Sequence, residues 1–557
     1  MAVITPQSDV YLLKVPLEIN DINQLTFSNA TAQYNYFSSL PKLTVDNFTY
    51  QRKDGTIRFP ENFDDLISYN YVMYRNDAYS NKWFYAFITG MEYLNDNVTA
   101  IAIKTDVWQT WQFDLTYKRC FIEREHVNDD TIGKHTLPEN FETGEYVLNG
   151  TPTNFGINQT IGDYCLVIDV SMIENPGTNQ TLTYSWTGSQ TTPTQFNNGI
   201  PTGLYHIVLG YNSSIMPSPR DLIDVYDKAG LGNAIQNVYI LPKVLLGSVQ
   251  TGLTIETTGS APVGSVGGLA MPTYSTGVTN IATATYTRPS TINGYAPKNN
   301  KMFCYPYNFI NVSNNAGTTL PYRYEDFSSG VSFTVEGVLT PSGEVKAKPD
   351  NYKNIASTDN AYDYSINGAK YPTCGWTTDS YTNWQTQMAL NQRVEMENAG
   401  ISTIANIIRP AKSMSEFMGN AGIGMLNYLE KAQSLYAQQG TANVVPDQVH
   451  GNLNSGDIVW SKLKSQFTFL PMSIKREYAE CIDEFWNVFG YRVNRVKLPN
   501  ITGRRNWNYV KTVGCYIEAD IPQGDLQEIK EMFDKGITLW HNPTTFMDYS
   551  QTNDILT

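Results

Sequence analysis

Charge is scarce in this sequence. Asp, Glu, Lys and Arg make up only 17% of its 557 residues, against about 25% in an ordinary soluble domain. Positive charge is scarcer still: 39 Lys and Arg face 53 Asp and Glu, a formal balance of -14. A sequence-independent nucleic-acid binder neutralises phosphates with clustered cations, and this balance points away from one. There are six cysteines (Cys120, Cys165, Cys304, Cys374, Cys481, Cys515). They form no CxxC pair and no metal-ligand spacing, so they read as small buried residues. The five histidines (His126, His135, His206, His450, His541) are too dispersed to suggest a metal cage. No uncharged apolar run reaches the length of about 18 residues that a membrane-spanning helix needs. The opening MAVITPQSDVYLL has no basic stretch followed by a long apolar one, so no secretory signal is expected. The motifs GxxxxGK(S/T), HExxH and GxSxG are missing; Gly133-Lys134 is followed by His135 and lacks the upstream glycine. No catalytic, metal or cofactor site is therefore expected.

What fills the gap is Asn, Thr, Ser, Gly and 37 tyrosines, within a chain that is 41% hydrophobic and 13% aromatic. Tyr and Thr suit pleated, half-buried strands, and Asn and Gly supply the turns between them. The expected fold class is mainly β, with long polar loops and large contact surfaces, and the length implies three or more packed units. An acidic surface suits a conduit wall that repels DNA, and it equally suits plain solubility.

Residues 1–150 read as strands and turns. Tyr69 to Tyr74, Trp83 to Thr89 and Val98 to Ile103 are strand runs, with a hairpin turn at Asn95-Asp96-Asn97. Val107 to Phe113 alternates partly with period two and carries Trp108 and Trp111, which suit a core or a subunit interface better than a carbohydrate platform. Residues 151–392 are strand-like but looser, and Gly247 to Asn300 is nearly uncharged and rich in Gly, Ser, Thr, Ala and Pro. It reads as strands with long loops or as an exposed lobe.

From 393 to 456 the period becomes helical. Ile401, Ile404, Ile407 and Ile408 share one face before Pro410; Met414, Phe417, Met418, Met425, Leu426 and Leu429 recur at three- and four-residue steps. Ile423 lies between Gly422 and Gly424, which with Gly419 loosen the centre. Taken alone, the pattern also fits an ordinary pair of core helices. Residues 457–557 give strand, helix, strand, strand, helix, strand: Phe467 to Leu470, Tyr478 to Phe489 ended by Gly490, Tyr491 to Val496, Tyr509 to Ile517, Leu526 to Phe533 ended by Gly536, and Ile537 to Trp540. That order makes the C-terminal part α+β and matches a ferredoxin-like βαββαβ unit.

One acidic cluster invites a catalytic test. Glu123, Glu125, Asp129, Asp130, Glu139, Glu142 and Glu145 fall among turn residues such as Asn128, Gly133 and Pro138. A glycosidase needs two carboxyls about 5 to 10 Å apart, but a solvated acidic loop accounts for this composition more simply.

Several aromatic-rich strings resemble those of a known family. Tyr79 to Phe87 (YSNKWFYAF), Asp106 to Asp114 (DVWQTWQFD), Phe121 to Val127 (FIEREHV), Phe489 to Asn494 (FGYRVN), Asn508 to Lys511 (NYVK) and Gly536 to His541 (GITLWH) look like the distal tail knob proteins of phi-29-type bacteriophages. The agreement covers roughly the first 150 and last 100 residues. The resemblance implies a non-enzymatic virion protein: a homohexameric β-rich tube at the distal end of the tail, below the lower collar. It implies genomic DNA in the lumen, a wall hydrolase at the tail tip as a further partner, and one long apolar loop per subunit. That loop plugs the tube and then opens the host membrane; residues 393–456 lie where it belongs. Arg409, Lys412, Glu416, Glu430 and Lys431 make this stretch only moderately apolar. Two other functions fit the residues: an adhesin whose Gly/Thr-rich middle binds a host glycan, and a tail-borne wall hydrolase using the acidic cluster.

Overall fold

In the computed structural model, residues 8–556 are described apart from 20–21, 49–53, 77–80, 158–163, 176–180, 188–195, 198–199, 202, 211–216, 248, 259–263, 273–277, 340–343, 357–361, 369–372 and 376–465. The chain forms two compact units. The first joins Met1–Glu145, Gly294–Tyr307 and Ile474–Thr557; the second joins Tyr146–Asn293 and Asn308–Ser473. Residues from the first 150 and the last 100 therefore share a unit that sequence position alone keeps apart.

The first unit is built on a six-stranded antiparallel sheet, in the order Lys42–Phe48, Ser8–Leu13, Tyr71–Asn76, Trp83–Asn95, Val98–Thr105, Thr56–Phe59. Its central strand explains the unbroken apolar run near Tyr71. Tyr71 and Met73 face one core with Phe37, Tyr85 and Trp540, while Val72 and Tyr74 face another with Ile57, Phe59 and Ile101. A strand buried on both faces reads as continuous rather than alternating. The hairpin Trp83–Asn95 to Val98–Thr105 turns at Asp96 and Asn97, where it was expected.

The stretch from Val107 is a short helix, Val107–Trp111, not a strand. Asp106 caps it, accepting from the Gln109 amide at 3.0 Å. Five residues are too few to carry a period, but Trp108 and Trp111, three apart, share a helical face and would point to opposite sides of a strand. Both tryptophans turn inward. Trp108 Nε1 donates to the Leu25 carbonyl at 2.8 Å, and Trp111 Nε1 to Asp525 at 2.8 Å.

The second sheet of this unit corrects the ferredoxin-like expectation. Its order is Asn23–Leu25, Ile537–Trp540, Trp507–Val513, Cys120–Glu125, Tyr491–Lys497. Helices Arg476–Phe489 and Gln523–Lys535 occur where expected, but Cys120–Glu125 is threaded between two of the C-terminal strands. The remaining expected strand, Phe467–Ile474, pairs in a sheet of the other unit with Asn308–Ser313. Local patterns set where a strand forms; they do not choose its neighbour, and here long-range partners won.

The second unit holds a seven-stranded sheet, Leu182–Trp186, Val249–Thr257, Gly264–Pro272, Tyr205–Leu209, Tyr164–Val170, Ile235–Pro242, Thr373–Gly375. Two smaller sheets accompany it: Thr279–Tyr286 to Ile366–Asn367 through Val331–Gly337 and Val345–Pro349, and a five-stranded sheet centred on Phe467–Ile474. All three contribute to one hydrophobic core, in which Phe155, Phe333 and Phe469 meet. The low-charge stretch after Gly247 supplies three of the strands, as its composition suggested.

Candidate functional site

The membrane-active candidates, from Ile401, Ile404, Ile407 and Ile408 through Met414, Phe417, Met418, Gly422, Ile423, Gly424, Met425 and Leu426 to Leu429, all lie outside the described residues. What the structure defines is where the chain leaves for that segment and where it returns.

Among the described residues the departing strand Thr373–Gly375 is at the edge of the seven-stranded sheet and pairs with Ile235–Pro242, setting Thr373 opposite Tyr239 and Gly375 opposite Asn237. Beneath that register sits a buried polar cluster. The Tyr239 hydroxyl donates to Asp169 Oδ1 at 3.1 Å, and His206 Nδ1 meets the same oxygen at 2.5 Å. Burial, and then the Asp169 charge, push the Tyr239 phenol well above its ordinary value, so it stays a donor. Cross-strand polar contacts of this kind pin register. No local motif announces the cluster, because its members lie on three strands spread over about 70 residues of sequence.

The return is anchored differently. The Gln466 side-chain amide donates to the Ile157 carbonyl at 2.8 Å, and the Gln466 backbone carbonyl accepts from Asn315 Nδ2. Phe467 and Phe469 then enter the core, Phe469 stacking on Phe155 with ring centroids 4.1 Å apart. Thr468 bonds Asn154 Oδ1 at 2.6 Å. Both anchors belong to the second unit.

The acidic cluster is not the solvated loop its composition suggested. Glu123 and Glu125 lie on the strand Cys120–Glu125. Glu125 is fully buried, held by Lys497 Nζ and the Asn500 amide. Glu139 takes Arg124, Lys301 and the Trp486 indole, with its side chain almost wholly buried. Asp130 accepts from the Tyr491 hydroxyl at 2.7 Å and the Asn300 amide at 2.9 Å, and burial raises its pKa. Glu123 pairs with Lys511, Asp129 with Lys134 and Glu145 with Lys475, while Glu142 is exposed. The inner three tie the 120–145 segment to Gly294–Tyr307 and to the C-terminal elements. Their partners lie far off in sequence, which is why the local reading missed them. Glu125 and Glu139 are each held by buried or half-buried cations. One cysteine also departs from expectation: Cys481 is exposed, while Cys120, Cys165, Cys304 and Cys515 are buried.

Among the described residues no helix is long and apolar enough to cross a membrane, and no cluster of ligating side chains could hold a metal ion. Residues 270–554, more than half of the chain, match the family model of the Bacillus phage phi29 tail knob protein gp9, C-terminal domain. The chain belongs to the tail knob family. Residues 7–116 match a second model, the caudoviral major tail protein N-terminus. Similar tail knob proteins include gp9 of Bacillus phage phi29, 26% identical over 611 residues and covering 98% of each chain. Another is gp9 of Bacillus phage B103, 25% identical over 596 residues and covering 95% of each. The solved tail knob protein gp12 of bacteriophage C1 shares the fold, with a TM-score of 0.61 at 14% identity, over 98% of this chain and 100% of that one. This tail knob chain is thus a β-rich structural protein of the virion, and its relatives are structural proteins too.

Proposed function

We propose that six copies of this tail knob protein close into a ring at the distal end of the tail, below the lower collar, and that its lumen conducts the genomic DNA. In each copy residues 393–456 plug that lumen before infection and open the host membrane during ejection. A wall hydrolase at the tail tip clears the path to that membrane. The observation that supports this reading is how the two ends of the segment are held: Thr373–Gly375 pairs with Ile235–Pro242, and Phe467–Ile474 with Thr153–Phe155 and Asn308–Ser313. A segment whose two ends are held by paired strands can change its surroundings while those strands stay paired. Its apolar faces are short for a bilayer one at a time, but six copies pooled can line a pore.

Leakage of a trapped dye from liposomes tests this. The full chain is expected to release dye, and a chain lacking 394–456 is expected to keep the same thermal midpoint and release none. Equal leakage from both would remove the membrane role from this segment.

A further inference from the structure

Two buried cysteines that are far apart in sequence meet in the first unit. Phe121 stands opposite Val513 at one end of their surroundings, and Tyr117 opposite Ile517 at the other. Between these pairs the Lys118 amide donates to the Tyr516 carbonyl at 3.0 Å. The two stretches therefore run antiparallel in one register, which sets Cys120 against Gly514 and makes Cys515 its diagonal neighbour. Strand geometry puts the two Cα atoms about 6 Å apart, inside the range of about 4.4–6.8 Å that a disulfide spans. Regular alternation would turn diagonal neighbours to opposite faces. Gly514, at φ +69°, breaks the alternation. Thr512 is buried and Val513 exposed, and after the glycine Cys515 and Ile517 are buried while Tyr516 is exposed. Cys515 thereby turns towards Cys120. Cys120 Sγ accepts from the Tyr516 amide and from the Cys515 thiol, so the two sulfurs are in contact, and both are free thiols.

The surroundings keep this pair quiet until an oxidant arrives. Burial raises the pKa of both thiols, that of Cys515 to about 12. Protonated thiols are poor nucleophiles, so the pair persists as a dithiol through folding in a reducing cell interior. The two donors on Cys120 Sγ favour its thiolate against that burial, which makes Cys120 the sulfur that reacts first.

We propose that Cys120 and Cys515 form a latent disulfide, a dithiol while the chain folds inside the cell and a covalent link once the virion is outside it. Dioxygen is the oxidant. The two S–H bonds break, one S–S bond forms, and both electrons and both protons pass to dioxygen, giving hydrogen peroxide. The link closes residues 120–515 into a loop that holds the whole second unit, Tyr146–Asn293 and Asn308–Ser473. Both cysteines belong to the first unit, so a rearrangement within the loop cannot draw their strands apart once the bond has formed. Closing so long a loop also restricts the unfolded chain, which favours the folded one.

Counting thiols by alkylation after denaturation tests it on the full chain. Cys481→Ser removes the exposed cysteine and leaves five of the six, so the reduced variant should take five labels. After copper–phenanthroline treatment in air it should take three of those five, with one peptide joining Cys120 to Cys515. Cys120→Ser in the same background should take four labels before and after, since its partner is gone. Five labels after oxidation, or a Cys120→Ser chain that still loses two, would overturn the pair. The unmodified chain from released virions, alkylated before any reduction, should show the Cys120–Cys515 peptide, and chain trapped inside infected cells should lack it. The same state in both would overturn the timing. As a second measurement, oxidation should raise the urea midpoint of the Cys481→Ser chain and leave that of the Cys120→Ser chain where it was. Equal shifts in the two would overturn the fastening role.

Discussion

At the scale of single residues, His126 shows how the interior constrains protonation. Its Nδ1 accepts from the Tyr509 amide at 2.8 Å while Nε2 donates to the Asn487 carbonyl at 3.1 Å. Only the neutral ring can do both, since a proton on Nδ1 would face an N–H. Burial, then Arg504, lower its pKa from 6.5 to about 3. Between those values the unfolded chain binds a proton that the folded chain does not, so stability rises with pH through that window. Buried Asp106 works the other way: raised by burial to about 6, it loses folded-state advantage as pH climbs from 3.8. The wild-type profile therefore mixes opposed contributions, and a variant isolates one. The stability advantage of wild type over His126→Gln should shrink by about 1.4 kcal/mol per pH unit as pH falls from 6.5 towards 3. Urea midpoints across that range measure it, and a constant gap would show that His126 titrates alike in both states.

At the scale of elements, helix Arg476–Phe489 is fixed by one carboxylate. Asp483 accepts from the Tyr295 hydroxyl and the Lys298 amide, both at 2.7 Å, and from the Asn299 amide at 3.1 Å. Asp483→Ala would strand those donors in the interior and should cost roughly 3–5 kcal/mol. Asp483→Asn keeps part of the acceptance and should cost less. Urea unfolding distinguishes the two, and equal small losses would mean that the Gly294–Tyr307 crossing is held by other contacts. The helix itself was legible from its apolar spacing and its stop. Gly490 has φ +65°, and a Cβ there would lie 2.2 Å from the Glu125 carbonyl oxygen, so no other residue fits the position. The strand partners were not legible. Nothing near Cys120 in sequence says that it will lie between Tyr491–Lys497 and Trp507–Val513, and nothing near Glu139 names Lys301. Buried carboxylates and solvated ones have the same composition, and only the distant cation tells them apart. The short helix at Val107 was misread for the opposite reason: its own pattern was too brief to carry a period.

At the scale of the whole molecule, family membership came from aromatic strings at the two ends of the chain, and the structure shows those ends woven into one unit. Glu123–Lys511 and Glu125–Lys497 are bonds between them. Residues 393–456 were legible only as an apolar helical period, and the role proposed for them rests on resemblance, because a lone amphipathic stretch does not reveal what covers it. The central claim is that copies of this chain build a tube, and electron-microscope class averages of the purified protein, with its mass from light scattering, test that most directly. The account predicts a six-fold ring around a central channel, with six copies of 62.6 kDa giving about 376 kDa. A monomer or a closed assembly without a channel would contradict it.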